Sequence, residues 1–234
     1  MDESTRATVL EEIEPPAAVR PTGGGSKGPR GTATGRRTAR AVGVLLLAGF
    51  LTYGVGSAVA TGVVASADRE ASGPVLLAGA LSMLLNSAVV IAIGVLMFPI
   101  LQRHSRPVAL TYLLTRIFEG AALAVGVAGL LSMAGPAAIG MNSLAYNIAM
   151  AGLGIGSLFF CSLLFTTRLV PRFLAAWGFL GYATFAVGCL LELAGVTGAG
   201  IVSAIPGGLF EVTFGIWLIA RGFNAGRSVA TPRA

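Results

Sequence analysis

Six long apolar segments dominate the sequence, and they restrict the folds that the chain can adopt. They cover about residues 41–64, 75–101, 108–133, 145–167, 173–196 and 201–220. Each is close to the roughly 20 residues that a helix needs to cross a bilayer. Because the alternating pattern of a barrel is absent, and backbone groups in lipid must bind one another, each segment is predicted to be a helix. The predicted fold class is all-α, a polytopic membrane protein with a bundle of six transmembrane helices.

Charged residues are scarce, at 11% of the 234-residue chain. Soluble domains carry about 25%, so we expect this protein to be embedded in membrane lipid. The formal net charge of +6 does not predict a nucleic-acid partner, because the basic residues lie in a tail and in short loops. A single lysine beside 15 arginines, in a chain rich in Ala, Gly and Val, indicates a bacterial source.

Arginine residues cluster in alternate connections between the predicted spans. They precede span one, separate spans two and three and spans four and five, and follow span six: Arg30, Arg36, Arg37, Arg40, Arg103, Arg106, Arg168, Arg172, Arg221, Arg227 and Arg233. The other three connections hold one basic residue, Arg69. Because basic residues beside spans mark the cytoplasmic side, both termini are predicted to be cytoplasmic. The predicted location is the bacterial inner membrane, which is the cell membrane.

The two ends of the chain differ from the apolar domain at 41–224. Residues 1–40 are first acidic and then basic and rich in glycine. With so little apolar content to bury, they are predicted to form a disordered cytoplasmic tail. The pair Arg36-Arg37 is not interpreted as an export signal, because polar residues follow it and five more spans come after the first. Residues 225–234 are predicted to be a second cytoplasmic tail.

Small residues and proline carry local predictions. Gly152 and Gly156 have the four-residue spacing that allows helices to approach closely. The segment Pro206–Gly208 is predicted to break or kink the sixth helix. Cys161 and Cys189 lie in apolar runs and are predicted to be small buried side chains without a disulfide.

The predicted spans contain few ionisable side chains, and these are Arg116, Glu119, Glu192 and Glu211. Such groups are rare within membranes because lipid does not solvate charge, and they usually face the bundle interior. Glu119 and Glu211 are near the middle of their spans, and Glu192 is nearer the outer face. Asn86, near the middle of span two, adds a polar neighbour.

Helical spacing places these residues on two faces that we expect to point inward. One face of span three carries Tyr112, Arg116 and Glu119 at i, i+4 and i+7. One face of span five carries Tyr182, Phe185, Cys189 and Glu192. Two pairings are open for the arginine, either with Glu119 or with Glu211 across helices. Three carboxyls against one arginine leave at least one unpaired, and desolvation favours its neutral form, which is a proton donor.

Three stretches resemble a known bacterial membrane family. They are LQRHSRPVALTYLLTRIFEG at 101–120, TRLVPRFLAAWGFLG at 167–181 and PGGLFEVTFGIWLIARGFN at 206–224. The family is known as domain of unknown function 4386, and the resemblance covers about residues 40–224. It implies a six-helix membrane fold and no particular activity. It marks motif positions without assigning them roles, namely Arg116, Glu119, Arg168, Pro171, Arg172, Trp177, Glu211 and Trp217.

Several kinds of chemistry are excluded by what the sequence lacks. Aspartate occurs only at Asp2 and Asp68, so no aspartate-rich motif could hold magnesium against a diphosphate. The single histidine, His104, is in a loop, which disfavours a histidine-based zinc site or a Ser-His-Asp triad. No P-loop is present. We therefore predict no metal site and no cofactor.

Acid chemistry on a lipophilic molecule is the most concrete function that remains. A buried Glu would protonate an epoxidised polyprenyl chain taken from the bilayer, and aromatic rings would stabilise the cation as the chain cyclises. The residues expected in catalysis are Glu119, Glu211, Glu192 and Arg116. The residues expected to contact substrate are Tyr112, Asn86, Tyr182, Phe185, Phe210, Phe214 and Trp217. In architecture and residue inventory the chain resembles small metal-free membrane terpene cyclases, which is analogy at the level of class.

Two other functions stay open. Glu119 and Glu211 are each preceded by Phe and lie at similar depths in spans three and six. An inverted repeat of three plus three helices would place them in this way, as in a small proton-coupled transporter. The remaining alternative is a membrane accessory protein without catalytic activity.

Overall fold

A computed structural model describes residues 33–66 and 72–224. It contains the helices α1 Ala33–Ala65, α2 Gly73–Leu101, α3 Arg106–Ser132, α4 Gly135–Thr167, α5 Arg172–Leu193 and α6 Ala199–Ala220. All six are long and apolar enough to cross a membrane, and the described residues include no strand. The prediction of an all-α, six-span membrane protein is confirmed.

Two helices begin earlier than the apolar segments indicated. α1 begins at Ala33, inside the segment assigned to the tail, and α4 begins at Gly135 instead of residue 145. Polar residues such as Arg36 and Asn142 lower the hydropathy of these first turns, but they do not prevent a helix from forming. Residues 1–32 and 225–234, where the rest of the two predicted tails lies, fall outside the described residues.

Each helix packs against the next one along the chain, and α6 returns to pack against α1, so the six form a closed ring. Glycines permit three of these approaches. A Cβ atom at Gly56 of α1 would lie 2.8 Å from the carbonyl oxygen of Gly79 of α2. Similar close approaches join α1 to α6 and α5 to α6, through the pairs Gly43–Gly215 and Gly181–Gly207.

The glycine and cysteine predictions for α4 and α5 are confirmed. Gly152 lies against the ring of Phe118, and Gly156 lies against Thr115, so α3 and α4 are in close contact at both glycines. Cys161 and the cysteine of α5 are both buried and free. Of the predicted break or kink in the sixth helix, the break is wrong, because α6 continues through Pro206, and the kink stays a prediction.

The arginine-rich connections lie at one end of the bundle. α4 ends at Arg168, whose φ of 56° turns the chain into the short connection to α5. Asn224, just after α6, donates hydrogen bonds to the carbonyl oxygens of Leu169 and Arg168, at 2.9 and 3.1 Å. At the same end, the Nε–H of Arg40 donates to the carbonyl oxygen of Ile219 at 3.3 Å. The assignment of this arginine-rich end to the cytoplasm stays a prediction.

Candidate functional site

Arg116 is the centre of a polar cluster within the bundle. Its side chain is buried, and two of its hydrogen bonds go to its own helix. Nε–H donates to the Tyr112 hydroxyl at 3.1 Å, and Nη1–H donates to Glu119 Oε2 at 2.9 Å. The guanidinium also lies 5.2 Å from the centre of the Tyr112 ring. The spacing i−4 and i+3 places both partners beside the arginine on one helical face.

Glu211 of α6 completes the cluster across the bundle. Its Oε1 lies 3.7 Å from Nη2 of Arg116, an ion pair beyond hydrogen-bond distance. The Tyr182 hydroxyl of α5 donates to the same oxygen at 2.5 Å. Both pairings that the sequence left open therefore occur together, and the cluster joins side chains from α3, α5 and α6.

The two carboxyls of the cluster differ in their exposure. The Glu119 side chain is 5% exposed and the Glu211 side chain is 17% exposed. Glu119 is bound directly to the guanidinium, whereas Glu211 shares it at longer range. One arginine balances one carboxylate, so a second ionised carboxyl would leave a net negative charge in a region that lipid surrounds.

A cavity of about 250 Å³, which we call the central cavity, adjoins this cluster. Arg116, Glu119 and Glu211 all reach it, and so does the predicted polar neighbour Asn86. Five aromatic rings line its walls, from Phe50, Tyr53, Tyr146, Tyr182 and Phe185. Of the residues expected to contact substrate, the structure therefore brings Asn86, Tyr182 and Phe185 to the cavity.

Other predicted substrate contacts lie behind the cluster instead of in the cavity wall. A chain of ring contacts runs through the core, with centroid distances of 4.5 to 5.9 Å, and joins Tyr112, Phe160, Phe214, Phe210 and Tyr182. Tyr112, Phe210 and Phe214 are buried there and support the cluster from the side away from the cavity. Trp217 is farther along α6, with the guanidinium of Arg221 5.7 Å from its ring centre.

Helix geometry explains the placement of the α6 aromatics. The residues of α6 that line the central cavity are Ala204, Gly207, Gly208 and Glu211, which follow i, i+3, i+4 and i+7. This spacing forms one face of a helix. Phe210 and Phe214 are spaced i and i+4 on a neighbouring face, so they point into the packed core.

Glu192 lies apart from the other two carboxyls. Its Oε2 accepts a hydrogen bond from the backbone N–H of Gly200 at 2.9 Å, in the first turn of α6. Backbone donors at a helix start need such a partner. The structure thus separates Glu192 from the cluster around Arg116, although the sequence grouped all three acids together.

Three lining aromatics, Phe50, Tyr53 and Tyr146, were missed by the sequence interpretation. Tyr146 had been placed at the edge of a span, but α4 begins at Gly135, so it lies well inside the helix. Tyr53 and Tyr146 stack with centroids 5.4 Å apart. Tyr53 and Tyr146 could have been identified from the sequence as residues that face the interior. A tyrosine hydroxyl inside an apolar span needs a partner that lipid does not supply.

Over residues 33–66 and 72–224, no three or more His, Cys, Asp or Glu side chains lie where they could hold a metal ion.

A family model matches residues 41–222, and its description is a domain of unknown function, DUF4386. The chain belongs to this family. The DUF4386 match covers all six helices apart from the first turns of α1. The chain has no match among curated proteins or among solved structures.

Proposed function

We propose that this DUF4386 protein is a metal-independent membrane cyclase, which protonates an epoxidised polyprenyl-type molecule and closes it into rings. The observation that carries the proposal is that Glu211 faces the central cavity while sharing the single guanidinium of Arg116 with Glu119.

Charge balance supports a proton donor at this site. With Arg116 charged, the cluster is neutral when Glu119 and Glu211 together hold one proton. A neutral cluster avoids the free-energy cost of an uncompensated charge in lipid. We assign that proton to Glu211, because Glu119 is closer to the guanidinium and Glu211 is more exposed to the cavity.

The walls of the cavity suit a developing carbocation. Aromatic ring faces attract cations electrostatically, and they do so most strongly where water is excluded. The rings of Phe50, Tyr53, Tyr146 and Phe185 line the cavity together with the arginine cluster. A cation formed along a folded polyprenyl chain would therefore meet aromatic surface.

The seam between α1 and α6 provides a route from the membrane. Phe50 and Gly54 of α1 line the central cavity and are also exposed on the outside of the bundle. Across the seam, the Phe50 ring lies 3.7 Å from the position of a Cβ atom on Gly208 of α6. Around the seam, large apolar side chains such as Leu51 and Ile205 face outward. A lipophilic substrate can thus reach the cavity laterally from the bilayer.

The proposed reaction consumes no metal or cofactor. The Glu211 carboxyl transfers its proton to the epoxide oxygen, and the carbon–oxygen bond breaks as the electrons of the nearest alkene form a new carbon–carbon bond. The epoxide oxygen becomes a hydroxyl. The final cation loses a proton to a carboxylate of the cluster, which restores the acid.

The test uses the full-length protein in nanodiscs with an epoxy-polyprenyl substrate and no added metal, with products measured by mass spectrometry. We expect a cyclic isomer of the substrate, and loss of at least about 99% of the turnover in Glu211→Gln, as expected for a general acid. Thr213→Val, at a partly buried position on the same helix outside the lining of the central cavity, is the control. Equal turnover in Glu211→Gln and the control would refute the assignment.

A proton-coupled transporter is the second candidate, and one observation favours it. A further cavity lies beside the central one and shares Tyr53, Tyr146 and Ala204 with it, so cavities extend from the carboxyl cluster toward the end opposite the arginine-rich end. Liposomes that contain the protein would then show proton flux that depends on a transported substrate. Glu119→Gln and Glu211→Gln would each abolish that flux.

A further inference from the structure

The further cavity has a volume of about 340 Å³, and we call it the second cavity. It lies between α1, α4, α5 and α6, near the connection between α5 and α6. The stacked rings of Tyr53 and Tyr146 stand between it and the central cavity. Its walls are more polar in character, with side chains from Ser57, Thr61, Asn147 and others.

Two polar side chains of the second cavity use their donors on their own helices. Asn147 Nδ2 donates to the carbonyl oxygen of Ser143 at 2.9 Å, and Thr61 Oγ1 donates to that of Ser57 at 2.7 Å. These bonds leave oxygen lone pairs on Asn147 and Thr61. Asn147 Oδ1 points toward Gly200, where it lies 2.7 Å from the position of a Cβ atom.

Glu192 adds negative charge to the same wall. Its Oε2 accepts from the Gly200 N–H, whereas Oε1 accepts no hydrogen bond from the described residues. No Lys, Arg or His is among the described residues that line the second cavity. Acceptor oxygens of Glu192 and Asn147 therefore converge near Gly200 without a positive partner in the described wall.

We propose that the second cavity binds a primary ammonium group, carried by a small amine or by the head group of an aminophospholipid. Three N–H donors and a positive charge complement an acceptor-rich wall with one carboxylate. The cavity is much larger than a bare metal ion, and Glu192 is the one carboxylate in the described wall. This site is separate from the acid cluster, and it does not depend on the proposed cyclisation.

The experiment measures binding of n-butylammonium to the full-length protein in phosphatidylcholine nanodiscs, by saturation-transfer NMR with titration. n-Butanol is the matched neutral probe. We expect saturable binding of the ammonium and none of the alcohol. Glu192→Gln should weaken binding at least about tenfold, since it removes a charge-assisted hydrogen bond, and Thr61→Val should weaken it about threefold.

Two controls make the result decisive. Glu211→Gln removes a carboxyl of the central cavity. The proposal would be overturned if Glu211→Gln lost binding of n-butylammonium and Glu192→Gln kept it. Equal binding of n-butanol, or unchanged affinity in both Glu192→Gln and Thr61→Val, would overturn it as well. The Glu192→Gln amide oxygen can still accept from the Gly200 N–H, so thermal unfolding should show an intact bundle.

A second set of nanodiscs distinguishes the two sources of the ammonium group. When phosphatidylethanolamine replaces part of the phosphatidylcholine, competition with n-butylammonium indicates that a lipid head group occupies the site. Unchanged butylammonium affinity indicates a free amine as ligand. Absence of n-butylammonium binding in nanodiscs of either composition would contradict the proposal.

Discussion

Glu211 and Glu192 are both glutamates on membrane helices, yet the structure gives them opposite surroundings. Glu211 meets side chains from two other helices, the Arg116 guanidinium and the Tyr182 hydroxyl. Glu192 meets one backbone N–H at the start of a helix. The surroundings of each buried acid therefore depend on which polar groups the neighbouring helices place beside it. Side chains supply a guanidinium and a hydroxyl at Glu211, whereas a helix start supplies one backbone N–H at Glu192.

Loss of the arginine should have the largest effect. Arg116→Met leaves two carboxyls without their positive partner, and breaking a buried ion pair in this way lowers the free energy of unfolding by about 3–5 kcal/mol. Thermal unfolding in detergent measures the change. The double variant Arg116→Met, Glu119→Gln should recover part of the stability, because one carboxyl is then removed. No recovery would mean that the arginine acts mainly through packing.

A substitution that forces α5 away from α6 should have the second-largest effect on stability. A Cβ atom at Gly181 would lie 3.0 Å from the Cα of Gly207, so Gly181→Leu must push the two helices apart beside Tyr182. Overpacking of this kind lowers stability by about 1–3 kcal/mol, and it should also weaken the Tyr182–Glu211 contact. Gly140→Leu is the matched control, because a Cβ atom there meets nothing within 4 Å. Equal unfolding temperatures for both variants would contradict the observed helix contact.

Removal of one hydroxyl should have a moderate effect. Tyr182→Phe keeps the ring contact with Phe210 and deletes the hydrogen bond to Glu211. A hydrogen bond to a neutral group contributes about 0.5–1.5 kcal/mol, and we expect a loss within that range because the proposal makes Glu211 the protonated carboxyl. Chemical unfolding in mixed micelles measures it. A double-mutant cycle with Glu211→Gln should show coupling between the two positions, and additive effects would refute the contact.

Substitution of Glu192 should have the smallest effect on stability. Glu192→Gln keeps an oxygen that can accept from the Gly200 N–H, so stability should change by less than about 0.5 kcal/mol. The same substitution at Glu211 should change stability more, because it alters a group that contacts both the Arg116 guanidinium and the Tyr182 hydroxyl. Unfolding curves of the two variants, recorded side by side, sharpen the comparison. If Glu192→Gln is the more destabilising of the two, the contrast between these regions is wrong.

Much of the local structure could be predicted. Arg116 and Glu119 pair because positions three apart on a helix are neighbours, and no tertiary information is needed for that. The same periodicity, applied to α6, would have separated Glu211 from Phe210, because adjacent positions on a helix do not share a face. The starts of α1 and α4 were harder to predict, because hydropathy reports burial in lipid and helices can extend beyond the lipid.

The sequence by itself determined that this chain is a six-helix membrane protein, because long apolar segments in lipid have no other way to satisfy their backbone groups. It also determined which few ionisable groups lie within the membrane. Only the tertiary structure decided that Glu211 and Tyr182 join Arg116 while Glu192 does not. That choice depends on the rotation and the close approach of α5 and α6 at Gly181 and Gly207, which are set by packing between helices.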